Sequence, residues 1–312
     1  MGEDKVRQRS DVFLLQALTG KAAEYRRTPK RERPCDVSDP QNLHPRLRSI
    51  EPLCNLQDMR TFGGFRLGDQ FFYGEVRGDE VHVLADPYWI GIEPTKQVAR
   101  LAAVDIDRPV APSKLIAIGL NYADHIAEMK RTPLGTPLLW FKAPSSILPH
   151  HGTIEIAFPE HQTDFEVELT VVIGAPAKNV GVERALKHVF GYTVGLDISD
   201  RDLQKTEKQF ARCKSFDTYT PIGPFVHTEV DIRDLPIELR QNGEVRQHAR
   251  TGQMIYSVAE IVSFASRWMT LVPGDVILTG TPSGVGPIHA GDQLEAMIGD
   301  WPPLRNSVAN AN

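Results

Sequence analysis

A chain of 312 residues with 41% hydrophobic and 24% charged content has an ordinary globular composition, with room for one large domain with appendages or for two. Its net charge of −5 leaves no basic footprint for nucleic acid, and no apolar run approaches the length that spans a bilayer. Three scattered cysteines, Cys35, Cys54 and Cys213, argue for a reducing compartment and hence a cytoplasmic location.

The first fifty residues hold eleven Lys/Arg against seven Asp/Glu, although the chain as a whole is acidic. Ser10 to Arg27 predicts a short helix with Phe13, Leu14, Ala17 and Leu18 on one side. The stretch Arg26 to Pro34 reads as a linker rich in charge and proline. Glu3, Asp4, Asp11 and Glu24 count against a mitochondrial transit peptide. Residues 1–58 are therefore read as an extension, basic and either helical or disordered. Met59 opens a β-rich stretch in which Phe71–Val76 and Val81–Leu84 fit two strands around Arg77-Gly-Asp-Glu. Residues 59–110 are too few for a substantial core of their own, and the main domain begins near 111.

Lys114 to Gly119 has the pattern of a buried strand. In the following Leu120 to Met129, a helix would put His125 and Glu128 at i and i+3 on one side. A carboxylate beside an imidazole raises its basicity and orients it, as a general base requires, but the same pair also suits an ordinary surface helix. His150, His151 and His161 lack the spaced constellation that zinc needs.

Asp164-Phe-Glu166-Val-Glu168-Leu-Thr-Val-Val-Ile173 places three carboxylates alternately in an apolar run. In a strand they share one face, with Phe165, Val167, Leu169 and Val171 on the other. Like charges so close need something positive between them, unless the face is open to solvent. Farther on, a short strand from Gly191 ends at Asp197, where a third oxygen ligand can join Glu166 and Glu168. Such a set favours a hard cation, Mg²⁺ or Mn²⁺, over zinc. Val182 to Phe190 predicts a helix stopped by Gly191. Ser257-Val-Ala-Glu260 is a capping box opening a helix to about Thr270, with Val258, Ile261, Val262, Ala265 and Trp268 as its core face. The strand Val276 to Gly280 then runs into Thr281-Pro-Ser-Gly284-Val-Gly286. Backbone N–H groups in this turn, at Gly280 and Thr281, suit a small substrate carboxylate; a tight turn without a ligand is the plainer reading.

Taken in order, these pieces resemble the fumarylacetoacetate hydrolase family, in its acylpyruvase and hydroxymuconate-isomerase-like branch. The resemblance rests on Gly119-Leu-Asn-Tyr with His125 and Glu128, Asp164-Phe-Glu-Val-Glu-Leu, Leu196-Asp-Ile-Ser-Asp-Arg-Asp-Leu-Gln204, Gln209 to Asp217, Asn242-Gly-Glu, and Thr279-Gly-Thr-Pro-Ser-Gly-Val-Gly286. It implies an α+β, mainly β fold, a mixed β-roll catalytic domain (111–312) with a small N-terminal β unit, and an expected homodimer. It further implies an enzyme acting on small 2-oxo acids, with Mg²⁺ or Mn²⁺ at Glu166, Glu168 and Asp197. By the same resemblance Lys214 is an active-site lysine, Thr281 a substrate-carboxylate contact, and His125 with Glu128 the pair that activates water.

The expected reaction is hydrolysis of acylpyruvate-like 2,4-dioxo acids. Isomerisation or decarboxylation of 2-hydroxymuconate-type diacids or oxaloacetate is the alternative, and a non-catalytic ligand-binding protein is the reading of another class. The stretches Lys130 to Pro137 and Gly299 to Asn306 depart from the family pattern, so the acyl chain is not legible.

Overall fold

The computed structural model describes residues 59–132 and 135–311. The expected Ser10–Arg27 helix and its linker lie outside the described residues. A 12-stranded mixed sheet forms the frame. Its main path runs Pro94–Arg100, Glu80–Leu84, Gln70–Arg77, Arg60–Leu67, Thr220–Thr228, Val189–Leu196, Val167–Ile173, Val276–Leu278, Leu115–Gly119 and Leu138–Lys142. The Arg60–Leu67 strand pairs with Thr220–Thr228 through Arg60↔Thr228, Thr61↔His227 and Phe62↔Val226, so residues 59–110 extend the sheet that carries the later strands. A five-stranded sheet and a small three-stranded one complete the β structure. The mainly β, α+β class expected from the sequence is the observed one.

Val167–Ile173 lies deep in the sheet, antiparallel to both Val189–Leu196 and Val276–Leu278, and every residue in it is buried. Its period of two sorts the side chains. Val167, Leu169, Val171 and Ile173 join a core with Ile237, Leu239, Leu294 and Ile298 of the five-stranded sheet. Val172 faces the other way, toward Phe62, Leu115, Val226 and Leu278. Glu168 and Thr170 share that second face, which passes from acid at one end of the strand to hydrocarbon at the other.

Four α-helices occur among the described residues: α1 Ala123–Glu128, α2 Val182–Ala185, α3 Arg201–Thr206 and α4 Val258–Trp268. The helix expected over Val182–Phe190 is shorter. A 3-10 turn follows α2, and Val189–Phe190 enter the sheet, where Phe190 packs on Phe62 and Tyr88 at 5.2 and 5.0 Å between ring centres. The capping box of α4 is formed as expected: Ser257 N–H donates to Glu260 Oε2 at 2.8 Å, and Glu260 N–H to Ser257 Oγ at 3.3 Å. Val258, Ile261, Val262 and Ala265 are in the core, but Trp268 is 71% exposed. It is the last helical residue; the backbone turns extended at Met269, which packs on the core instead. None of these helices is long and apolar enough to cross a membrane.

His227 lies mid-sheet, with Nδ1 3.2 Å from Thr61 Oγ1 and its ring 4.8 Å from that of Trp301. Burial pushes its pKa down from 6.5 to about 4. The unfolded chain therefore takes up this proton first, and stability present above pH 6.5 is lost as pH falls toward 4. Replacing His227 with Gln should remove on the order of 2 kcal/mol of the loss between neutrality and about pH 4.5. Urea unfolding of both proteins at the two pH values checks this; identical losses would show that His227 titrates normally.

Candidate active site

The acid-rich strand is broken at the functional end. Thr163–Phe165 belongs to the small sheet and Val167–Ile173 to the large one, with Glu166 at the junction. Asp197 directly follows Val189–Leu196, whose Leu196 is in register with Val167. Its N–H donates to the Glu166 carbonyl at 2.9 Å, which ties the two segments together. One carboxylate oxygen from each of Glu166, Glu168 and Asp197 lies within 4.8 Å of the others, and all three residues are buried.

Asp164, the first acid of the alternation, stands outside this trio. Arg201, the first residue of α3, donates from Nε to Asp164 Oδ2 at 2.7 Å and from Nη2 to Glu166 Oε1 at 2.6 Å. The positive group demanded between these two acids is thus a guanidinium. Lys214 Nζ donates to Glu166 Oε2 at 2.9 Å, Asp197 Oδ2 at 2.8 Å and Ser199 Oγ at 2.6 Å, which occupies all three of its hydrogens. Lys142 Nζ holds the remaining Asp197 oxygen at 2.5 Å and the Tyr219 carbonyl at 2.9 Å.

Four buried carboxylates (Asp164, Glu166, Glu168, Asp197) therefore face three buried cations (Lys142, Arg201, Lys214). Glu168 is the acid left over. Its partner is the backbone N–H of Gly280, at 2.6 Å. Burial, reinforced by Asp197 and Glu166, pushes its carboxyl well above the usual range. Burial also acts on Glu166, but Lys214 and Arg201 outweigh it and hold that carboxyl below the usual range. A converging set of hard oxygen donors, one of them a carboxyl without a cationic partner, fits a divalent cation.

The turn after Val276–Leu278 supplies the opposite wall. Gly280 has φ +99°, and a Cβ there would stand 2.7 Å from Asn121 Cβ, so only glycine fits. Its N–H, expected to meet substrate, is directed to Glu168 instead. Asn121 pins this turn to the Gly119–Asn121 segment through Nδ2 donation to the carbonyls of Thr279 at 2.7 Å and Tyr256 at 3.0 Å. Thr281 Oγ1 accepts from Gln247 Nε2 at 2.8 Å, which leaves its own hydrogen for a ligand. On α1, His125 Nδ1 stands 3.1 Å from Glu128 Oε2, and Glu128 Oε1 accepts from Gly284 N–H at 3.0 Å. His125, Glu166, Glu168, Lys214 and Thr281 all line one cavity of about 450 Å³. His150, His151 and His161 lie elsewhere, and the acidic trio is the one cluster among the described residues with metal-ligand spacing.

Gln247 carries no sequence signal that separates it from surface polar residues, and Arg201 stands in the Leu196–Gln204 motif without a role that the pattern reveals. Lys142 offers the best clue, as a lone cation closing the apolar Leu138-Leu-Trp-Phe run.

Residues 114–309 match the fumarylacetoacetate (FAA) hydrolase C-terminal family. The chain belongs to this family of enzymes. The mitochondrial oxaloacetate tautomerase of Bos taurus is 37% identical over 227 residues, 69% of this chain and 71% of that protein. The 2-hydroxyhepta-2,4-diene-1,7-dioate isomerase of Mycobacterium marinum superposes with a TM-score of 0.75 at 35% identity, covering 82% of this chain and all of that one. The fumarylpyruvate hydrolase of Pseudomonas aeruginosa, solved with Mn²⁺ and pyruvate, gives 0.60 at 32% identity, covering 70% of this chain and 93% of that one. The family thus joins hydrolytic, isomerising and tautomerising members on one fold.

Two substitutions probe the charge balance. Glu168→Gln should leave the fold intact but weaken Mg²⁺ and Mn²⁺ binding by about 10²-fold or more, since even residues that only support metal ligands contribute 10- to 100-fold. Titration calorimetry with unchanged affinity would remove Glu168 from the site. Arg201→Met strands Asp164 and Glu166 without their shared cation and should cost about 3–5 kcal/mol of stability, measurable by denaturant unfolding. A loss below about 1 kcal/mol, the scale of an exposed pair, would contradict this burial argument.

Proposed function

We propose that the protein is a divalent-metal-dependent hydrolase that cleaves the C3–C4 bond of acylpyruvate-like 2,4-dioxo acids. The observation that carries this reading is the buried His125, paired with the exposed Glu128, which lines the same cavity as Glu166 and Glu168. A cation at Glu166, Glu168 and Asp197, Mg²⁺ or Mn²⁺ by the hardness of the ligands, would supply Lewis acidity to the substrate's 2-oxo end.

The chain's own residues account for the rest. Thr281 donates its free hydroxyl hydrogen to the substrate carboxylate. Glu128 keeps the proton on Nδ1 of His125 and leaves Nε2 as the acceptor. His125 takes a proton from water as its oxygen bonds to C4. The C3–C4 bond then breaks with its electron pair moving into the pyruvate enolate, and the proton returns to C3. Lys214, with its hydrogens committed to Glu166, Asp197 and Ser199, contributes as a fixed positive charge beside the developing enolate. Four buried carboxyls against three buried cations favour binding a cation first and an anionic substrate afterwards.

The isomerase and tautomerase relatives support a second reading, in which the same base removes a C3 proton and no water is consumed. The proposal includes a homodimer acting on a small 2-oxo acid in the cytoplasm; the bovine relative is mitochondrial.

His125→Ala separates the roles. Acylpyruvate cleavage should fall by about 10²-fold or more, the usual scale for a general base. Binding of metal and of oxalate, an enolate mimic, should stay near normal by calorimetry. Cleavage at the parental rate with oxalate binding intact would reduce His125 to a helix residue. A wild type that cleaves no acylpyruvate but exchanges C3 protons of a 2-oxo diacid would install the second reading.

A further inference from the structure

One wall of the cavity serves no step described above. Ile118, Leu138, Trp140, Phe210 and Met129 line it alongside the polar residues of the site. Trp140 is its centre, at 5.4 Å and 84° edge-to-face with Phe210. The Trp140 ring is seated on Gly119, where an added Cβ would lie 2.7 Å from Cζ3 and 2.8 Å from Cη2. The absence of a side chain at 119 is therefore what lets the ring lie back and leave the cavity open. The indole N–H is buried and reaches no acceptor among the described residues, so packing and not a hydrogen bond sets the ring's position.

The wall is continuous with the charged end of the site. Lys214 Nζ lies 5.1 Å from the centre of the Trp140 ring. A substrate with its 2-oxo acid end at the carboxylates would thus extend its tail across Trp140 and Phe210. Two further cations of the lining, Lys130 and Arg131, are exposed, where water competes for any carboxylate they meet. Arg201 is already committed to Asp164, Glu166 and Gln204.

We infer that Trp140, Phe210 and Leu138 form a subsite for an uncharged, apolar acyl tail, and that they select such substrates over diacids. This rests on the proposed placement of the 2-oxo acid end, but not on which bond is broken.

The test is a binding series on the full-length protein loaded with Mn²⁺. Calorimetry would compare pyruvate, 2-oxobutanoate, 2-oxohexanoate and 2-oxooctanoate with the diacid 2-oxoadipate. Affinity should rise roughly fourfold for each methylene that becomes buried, and 2-oxohexanoate should bind at least about tenfold more tightly than 2-oxoadipate. Trp140→Ala should lower the ratio of 2-oxohexanoate to pyruvate affinity by about tenfold. Phe210→Ala should lower the same ratio in the same direction if the first variant folds poorly. A flat series, or a preference for 2-oxoadipate, would overturn the subsite while leaving the hydrolase reading standing. A rising series in a protein that cleaves no acylpyruvate would keep the subsite and remove the hydrolase. Failure of every 2-oxo acid to bind would overturn both.

Discussion

Glu168 is a buried carboxylate with no cation of its own, and the organisation of the site follows from that. Its neighbours Glu166 and Asp197 are each held by positive side chains, Arg201 and Lys214 for the first, Lys142 and Lys214 for the second. Burying an unpaired charge costs several kcal/mol, a large fraction of a domain's net stability. Without a cation Glu168 escapes that cost by keeping its proton, since burial together with Asp197 and Glu166 pushes its carboxyl well above the usual range. A cation between Glu166, Glu168 and Asp197 would take the place of that proton.

The same constraint explains the backbone around the site. The Asp197 N–H bond to the Glu166 carbonyl ties together two carboxylate-bearing segments that come from different parts of the chain. Glycine at 280 lets the turn come close enough to donate to Glu168, and Asn121 locks that turn in place. Gln247 reaches from the five-stranded sheet to orient Thr281 and also donor-bonds the Pro282 carbonyl. Each of these contacts sits in dry surroundings, where an unpaired polar group would be expensive and a misplaced one would spoil the site.

Much of this was legible in the residues. Alternation in Asp164–Ile173 gave the two faces correctly, and the i, i+3 spacing of His125 and Glu128 appears as a 3.1 Å contact. What the pattern could not convey was the break at Glu166, which sends Asp164 to Arg201 and away from the trio of Glu166, Glu168 and Asp197. Nor could it convey that Gly280 serves Glu168, because that depends on a turn meeting a strand more than a hundred residues distant in the chain. Trp268 fits a helical stripe yet lies exposed, since the core face of the helix ends at Ala265 and Met269 packs on the core beyond it. Local periodicity decides faces; long-range packing decides partners.

The most direct measurement of the central claim is anomalous diffraction from crystals of the protein grown with Mn²⁺. The account predicts one strong anomalous peak in contact with carboxylate oxygens of Glu166, Glu168 and Asp197. A fully ordered site with no peak between these three residues, or a peak bound only at other side chains, would contradict it.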